Sequence, residues 1–137
     1  MEDKLVKADE EWKKLLTPMQ YSVARKKSTE SPFTGIYDNF YNEGFYFCIC
    51  CGARLFNSKD KFNAGCGWPA FSDIISNKHI QLHTDKSHGM VRIEVTCARC
   101  DGHLGHLFND GPPPDGLRYC INSASIKFIE KSETQTQ

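Results

Sequence analysis

The 137-residue chain has no long hydrophobic run and no excess of either charge. Its 17 basic and 17 acidic residues balance, so no net field attracts nucleic acid or an anionic membrane. No apolar stretch approaches the roughly 20 residues of a transmembrane helix, and the first residues lack the basic-then-apolar pattern of a signal peptide. We therefore expect a cytoplasmic protein, monomeric, with neither nucleic acid nor membrane as a partner.

The length fits one domain with a modest core and is too short for two ordinary domains. Residues 1–30 are predicted to form a helical segment that packs on the core. Residues 31–130 carry short aromatic and β-branched runs broken by Gly, Asn and Asp, which is typical of a β domain. Residues 131–137 are polar and predicted to be disordered.

Two helix starts are visible in the first 30 residues. Asp9 can cap a short amphipathic helix that carries Trp12. Thr17 can cap a second helix, with Pro18 in its first position and Gln20 closing a capping box. We expect two short helices before the β domain begins.

Alternation of apolar and polar residues predicts strands in the second half. Residues 90–97 alternate most clearly, and this strand delivers a Cys-x-x-Cys motif at its end. Residues 117–121 and 125–129 are predicted to form a further strand pair, after a turn rich in Gly and Pro. We expect a mainly β fold.

Seven cysteines are present, which is an odd number and argues against a pure disulfide framework. Cys48 and Cys51 form one Cys-x-x-Cys pair, and Cys97 and Cys100 form another. Two such pairs supply the four thiolates of a structural zinc site, one ion per chain, that leaves no position open for a substrate. Cys50 is an alternative to Cys51 on spacing alone, and four thiolates also suit iron. We prefer Cys51 and zinc, and we assign no catalytic role to Cys50.

Cys120 lies in a segment of reactive residues. In a strand, Arg118, Cys120 and Asn122 share one face of the sheet. The Arg118 guanidinium is expected to lower the pKa of the Cys120 thiol, which increases the thiolate fraction at neutral pH. Cys120 is therefore a candidate nucleophile.

Two histidines precede this segment in the run Gly-His-Leu-Gly-His. His103 and His106 are candidate proton donors, a role that usually contributes about 10²–10⁴ in rate. Asp110, a few residues later, is expected to orient one of them. The residues leave open which histidine acts as the acid.

Four separated motifs resemble the B-type methionine sulfoxide reductases, the enzymes that act on the R epimer at sulfur. The resemblance covers about residues 12 to 130 and rests on residues 30–35 (ESPFTG), 62–71 (FNAGCGWPAF), 102–106 (GHLGH) and 118–123 (RYCINS). It implies a fold of two small antiparallel sheets, tent-like and zinc-containing, with short N-terminal helices. It also implies reduction of free or protein-bound methionine-(R)-sulfoxide to methionine.

The same resemblance implies roles for particular residues. Cys120 would be the nucleophile and become a sulfenic acid, and Cys66 would be the resolving cysteine that forms a disulfide with it. A thioredoxin-type reductant would reopen that disulfide. Trp68 would contact the S-methyl group of the substrate, and Arg118 and Asn122 would hold the thiolate and the sulfoxide oxygen.

A non-enzymatic zinc-binding module for protein interaction is the main alternative, because fold does not fix function. A zinc deaminase or hydrolase needs an open metal position and a His-x-Glu triplet, and the sequence contains no such triplet. The enzyme interpretation and the interaction module differ in what they require of Cys120. A module has no use for a reactive thiol with a second cysteine beside it.

Overall fold

A computed structural model describes residues 4–131 of the chain. The predicted disorder of residues 131–137 falls, apart from the first of them, outside the described residues. The elements in chain order are α1 (Asp9–Leu15), α2 (Pro18–Lys26), β1 (Gly44–Cys48), β2 (Arg54–Asn57), β3 (Lys61–Phe62), β4 (Ala70–Phe71), β5 (Ile80–Asp85), β6 (Arg92–Cys97), β7 (His103–Phe108), β8 (Arg118–Ile121) and β9 (Ile126–Glu130).

The two predicted helices are present, but only one is capped as expected. The Thr17 hydroxyl accepts a hydrogen bond from the Gln20 backbone, and the Gln20 side chain accepts one from the Thr17 backbone, so the predicted capping box is confirmed. The predicted cap at Asp9 is wrong. Ala8 occupies the N-cap position without a side-chain bond, and the Asp9 carboxylate instead accepts a hydrogen bond from the Tyr21 hydroxyl at 2.8 Å.

Among residues 4–131, all strand pairs are antiparallel and form two sheets, in agreement with the mainly β prediction. The smaller sheet has the order β2-β1-β9, and the larger has the order β3-β4-β8-β7-β6-β5. The pattern at residues 90–97 becomes β6. Residues from both sheets, including Tyr46, Phe56 and Phe71, build the core, and Trp12 of α1 packs into the same cluster.

The predicted pairing between residues 117–121 and residues 125–129 is wrong, although both strands exist. β8 pairs with β4 and β7, whereas β9 pairs with β1 in the other sheet. A 3-10 turn at Ser123–Ser125 separates them. The buried carboxylate of Glu30 accepts hydrogen bonds from the backbone of Ser123 and Ala124, each at 2.9 Å, and so holds that turn. The chain therefore crosses between sheets at this point.

Strand register places several polar residues on one face of the larger sheet. His106 of β7 lies opposite Cys120 of β8 and opposite Glu94 of β6. Ala70 of β4 also lies opposite Cys120. Because directly opposite residues share a face, a small residue and three chemically active ones lie in one row across four strands.

Candidate active site and metal centre

Cys66 and Cys120 come together although they are far apart in the chain. The Sγ atoms lie 3.7 Å apart, and both thiols are free and partly buried. Cys66 lies in the turn between β3 and β4, where Asn63 accepts a backbone hydrogen bond from Gly65 at 2.9 Å. Its thiol donates to the carbonyl of Trp68 at 3.3 Å. A disulfide needs a separation of about 2.05 Å, so a small movement of this turn brings the sulfurs into bonding distance.

The pKa of Cys120 differs from the expectation. Burial, the charge of Cys66 and its hydrogen bond together raise the pKa of Cys120 to about 12, and Arg118 only partly opposes them. Arg118 lowers the pKa of Cys120 as predicted, but the expected net lowering is wrong. Burial of the thiol between neighbouring strands outweighs the effect of Arg118. Burial therefore favours the protonated form of the Cys120 thiol at neutral pH.

Asp110 holds Arg118 and does not orient a histidine. The carboxylate accepts two hydrogen bonds from the guanidinium, from Nε at 2.8 Å and from Nη2 at 3.1 Å. The Arg118 guanidinium also stacks on Phe108, with its carbon 4.3 Å from the ring centroid. The prediction that Asp110 orients His103 or His106 is wrong. Asp110 fixes the position of the cation beside Cys120.

Two other carboxylates contact the histidines. The Nδ1 atom of His103 lies 2.8 Å from Glu94, and the Nε2 atom of His106 lies 2.8 Å from Asp85. Burial lowers the pKa of His103, although Glu94 opposes that effect. Hydrogen bonds from Ser87 and His106 hold the pKa of Asp85 well below its usual range. Each histidine therefore has one ring nitrogen fixed by an acid, which sets its tautomer.

The sequence interpretation missed both of these carboxylates. Glu94 falls on the polar face of the alternating pattern at residues 90–97, which is the available signal, and that face is buried in the structure. Asp85 ends β5, and only the pairing of β5 with β6 brings it towards His106. Glu94 also forms an ion pair with Lys27 at 3.4 Å, so a cation from the end of α2 approaches the same cluster.

Asn122 and Trp68 are held by one backbone segment. The Asn122 side chain accepts a hydrogen bond from the Glu30 backbone and donates one to Leu104, both at 3.1 Å. The Trp68 indole donates to the Glu30 carbonyl at 3.0 Å. Asn122 is 3% exposed, so most of its hydrogen-bonding capacity is used inside the protein. Both side chains are therefore rigidly placed.

A small cavity lies directly against Cys120. Its volume is about 80 Å³, and its lining consists of Thr29, Trp68, Arg92, Gly105, His106, Phe108, Cys120 and Asn122. An aromatic wall and a histidine face the thiol across it. A Cβ atom on Gly105 would overlap the carbonyl of Cys120, so the strands can approach this closely only with glycine at that position.

The cavity opens towards a larger polar one of about 350 Å³. The two share Thr29, Arg92 and His106, and the larger one also contacts His103 and Glu94. His103 does not line the small cavity, and its Nε2 atom has no hydrogen-bond partner among the described residues. A third cavity, about 600 Å³ beside α2 and the Ser123–Ser125 turn, includes neither Cys66 nor Cys120.

Four cysteines form a separate cluster. The Sγ atoms of Cys48, Cys51, Cys97 and Cys100 all lie within 4.8 Å of one another, and two of the pairs are 3.5 and 3.6 Å apart. Sulfurs around a tetrahedral zinc at about 2.3 Å are about 3.8 Å apart, so this set fits a metal ion without rearrangement. Cys50 is not part of the set. Cys48 ends β1 and Cys97 ends β6, so the cluster connects the two sheets.

The fold and the site together define a class of protein. Two free thiols close enough to pair beside a cavity, with a four-cysteine cluster set apart from them, are features of a thiol-dependent redox protein with a structural metal site. In the part of the chain that the structure describes, no helix is long and apolar enough to cross a membrane.

Comparison with known proteins identifies the family. The model of the SelR domain matches residues 16–130, and the chain belongs to this family. A relative from Pseudomonas syringae named peptide methionine sulfoxide reductase MsrB is 55% identical over 130 residues, which cover 95% of this chain and 99% of that protein. The relatives of the same name from Chromohalobacter salexigens and Methanosarcina mazei are 56% and 51% identical, over 93% and 97% of this chain and 97% and 95% of those proteins. The resemblance to methionine sulfoxide reductases is confirmed.

Proposed function

We propose that the protein reduces methionine-(R)-sulfoxide, free or within polypeptides, to methionine by thiol chemistry. The observation that carries this proposal is the approach of Cys66 and Cys120 to 3.7 Å at the edge of a cavity lined by Trp68 and His106. The names of the relatives support the reaction type, since they act on peptide methionine sulfoxide. The choice of the R epimer rests on the sequence motifs.

In the first step, the Cys120 sulfur attacks the sulfoxide sulfur and takes its oxygen. Methionine leaves, and Cys120 becomes a sulfenic acid, so the thiol is oxidised by two electrons and the sulfoxide is reduced by two. The raised pKa of Cys120 means that the thiol brings its own proton to the reaction. That proton ends on the transferred oxygen, so the step balances without a further proton and needs only a group that carries the proton from sulfur to oxygen.

His106 is the better placed of the two proposed proton carriers. It lines the cavity with Cys120, and its Nε2 atom is fixed on Asp85 at 2.8 Å, which leaves Nδ1 for the substrate oxygen. His103 lies behind it, 3% exposed, with the two rings 5.6 Å apart. We therefore assign His106 to proton transfer at the oxygen, and His103 to supporting it from within the buried cluster.

In the second step, Cys66 attacks the sulfenic sulfur of Cys120. A disulfide forms and the oxygen leaves as water, with one proton from Cys66 and the other already on the sulfenic oxygen. A thioredoxin-type dithiol then reduces the disulfide. Asp110 holds Arg118 beside Cys120, where the guanidinium stabilises the thiolate that is released. Trp68 shapes the methyl end of the cavity, and Asn122 shapes the oxygen end.

We propose zinc as the metal of the four-cysteine cluster. Cys48, Cys51, Cys97 and Cys100 would hold it, and four thiolates leave no position for substrate. The metal would supply no chemistry to the reaction and would join the two sheets. We further propose a cytoplasmic monomer in which residues 1–30 pack on a catalytic β domain of residues 31–130. The packing of Trp12 into the core supports the last point.

The test is a turnover assay with separated R and S epimers of methionine sulfoxide and dithiothreitol as reductant. The wild type should reduce the R epimer and leave the S epimer, and Cys120→Ser should reduce neither. Activity on the S epimer alone, or undiminished activity of Cys120→Ser, would overturn the proposal. A wild type without activity on either epimer would instead favour the zinc-binding interaction module.

A further inference from the structure

Phe33 combines two unfavourable features at one position. Its backbone has φ of 65°, a left-handed conformation that is unusual for a bulky residue. Its side chain is 69% exposed, so the ring gains little from burial. Strain of this kind persists only where the surroundings impose it, and it is concentrated at functional sites. The ring does not repay the strain by packing into the core.

The strain is imposed by the turn that carries Cys66. The Phe33 N–H donates to the carbonyl of Gly67 at 2.7 Å, which fixes the two segments to each other. A Cβ atom on Gly67 would lie 3.1 Å from the Phe33 ring, so the ring lies directly against this turn. Gly67 is the neighbour of Cys66 in the chain. Phe33 is thus an exposed aromatic side chain held next to the resolving cysteine.

Phe33 does not line the cavity in which the sulfoxide would react. The Cys66 side of the sulfur pair is also the open side. Residues 63–65 just before Cys66 are exposed, whereas Cys120 lies in β8 between β4 and β7. A molecule that approaches the sulfur of Cys66 therefore meets Phe33, while a methionine sulfoxide that enters the cavity does not need to.

We propose that Phe33 is a docking residue for the protein dithiol that reduces the Cys66–Cys120 disulfide. This inference rests on the proposed function, since it requires that disulfide to form. A protein partner has a surface around its reactive thiol that can cover the exposed ring, and aromatic side chains of this kind commonly anchor interfaces. A small dithiol has no such surface and gains nothing from the ring.

The exchange begins at Cys66. A thiolate of the partner attacks the Cys66 sulfur, forms a mixed disulfide with it and releases Cys120 as a thiolate, which takes up a proton. The second thiol of the partner then attacks the partner's first cysteine sulfur, which is bonded to Cys66. This closes the partner's disulfide and releases Cys66 as a thiol. Two electrons and two protons pass from the partner to the enzyme.

The test compares two reductants with one variant. Phe33→Asn removes the ring but keeps a residue that tolerates the left-handed conformation, so it does not add strain. With thioredoxin, kept reduced by its reductase and NADPH, the kcat/KM for thioredoxin should fall by about tenfold, the effect of truncating an interface anchor. With dithiothreitol, turnover of free and peptide-bound methionine sulfoxide should equal that of the wild type. Phe33→Tyr, which keeps an aromatic ring, should have the wild-type kcat/KM for thioredoxin.

Leu82→Asn is the matched control, because Leu82 is 49% exposed on β5, at the other end of the larger sheet from β3 and Cys66. Leu82→Asn should leave the kcat/KM for thioredoxin and the turnover with dithiothreitol at their wild-type values. An unchanged kcat/KM for thioredoxin in Phe33→Asn would overturn the inference. So would a raised KM for peptide substrate with dithiothreitol, which would make Phe33 part of the substrate surface. A wild type that is inactive with both reductants would contradict the proposed function itself.

Discussion

The Sγ atoms of Cys66 and Cys120 lie 3.7 Å apart, although the residues are separated by 54 positions in the chain. The approach follows from strand pairing. Cys66 lies in the connection between β3 and β4, and β4 pairs with β8 so that Ala70 lies opposite Cys120. The connection therefore folds back over Cys120. Only the turn has to move for the sulfurs to bond, and the strand that carries Cys120 can stay in place.

Replacing each of the two cysteines in turn should distinguish the two chemical steps. Cys66→Ser should still form one methionine per enzyme molecule in a single rapid turnover and then stop with Cys120 as a sulfenic acid. Quenched-flow analysis of methionine, together with trapping of the sulfenic acid by dimedone and mass spectrometry, measures both products. Cys120→Ser should form neither product.

Cys50→Ser is the control for this pair, since Cys50 lies outside both the sulfur pair and the four-cysteine set. It should turn over like the wild type with either reductant. A Cys66→Ser protein that turns over repeatedly with thioredoxin at the wild-type rate would contradict the role of Cys66 as resolving cysteine.

The raised pKa of Cys120 gives a pH dependence with a definite sign. Because its pKa is about 12, the thiolate fraction and the initial rate of iodoacetamide labelling at Cys120 should rise about tenfold per pH unit between pH 7 and 10. A folded-state pKa above the unfolded value of about 8.5 also means that this group stabilises the fold below pH 8.5. That contribution is lost as the pH rises towards 12.

Variants can test the causes of that pKa. Cys66→Ala removes a group that raises the pKa of Cys120, so labelling at pH 8 should become faster. Arg118→Gln removes the group that lowers it, so labelling should become slower. Peptide mapping after limited labelling measures both rates. A labelling rate that levels off by pH 8 in the wild type would show that the Cys120 thiol is far more acidic than its burial implies.

Local pattern was sufficient for the two Cys-x-x-Cys pairs of the metal site and for the face shared by Arg118 and Cys120, because each pair and the strand alternation depend on spacing within one segment. The carboxylates could not be assigned in this way. Asp85 reaches His106 only through the register of three strands. The raised pKa of Cys120 has the same origin, since the strands that bury the thiol come from distant parts of the sequence.

Removal of the metal should unfold the protein. Apparent binding free energies of structural zinc are about 10–16 kcal/mol, which equals or exceeds the roughly 5–15 kcal/mol that stabilises a domain. Cys97→Ser should therefore lose the metal and the cooperative thermal transition, as should the wild type after treatment with a strong chelator. Elemental analysis and circular dichroism measure the two effects. Cys50→Ser should keep one zinc per chain. A chelated protein with an unchanged melting temperature would contradict a stabilising role of the metal.

Substitutions of Asp85 and Asp110 should have different effects on kcat and on the labelling rate of Cys120. Asp85→Asn removes the charge that fixes His106, so we expect kcat to fall by about 10–100-fold, within the usual range for proton transfer, with little change in Cys120 labelling. In the wild type, Arg118 lowers the pKa of Cys120. Asp110→Asn loosens the Arg118 guanidinium and weakens this effect, so labelling of Cys120 at pH 8 should slow. Steady-state kinetics and labelling rates, measured on both variants, distinguish the roles. If Asp110→Asn leaves labelling unchanged and lowers kcat as Asp85→Asn does, then Asp110 belongs to the proton-transfer group, and its contact with Arg118 does not explain its function.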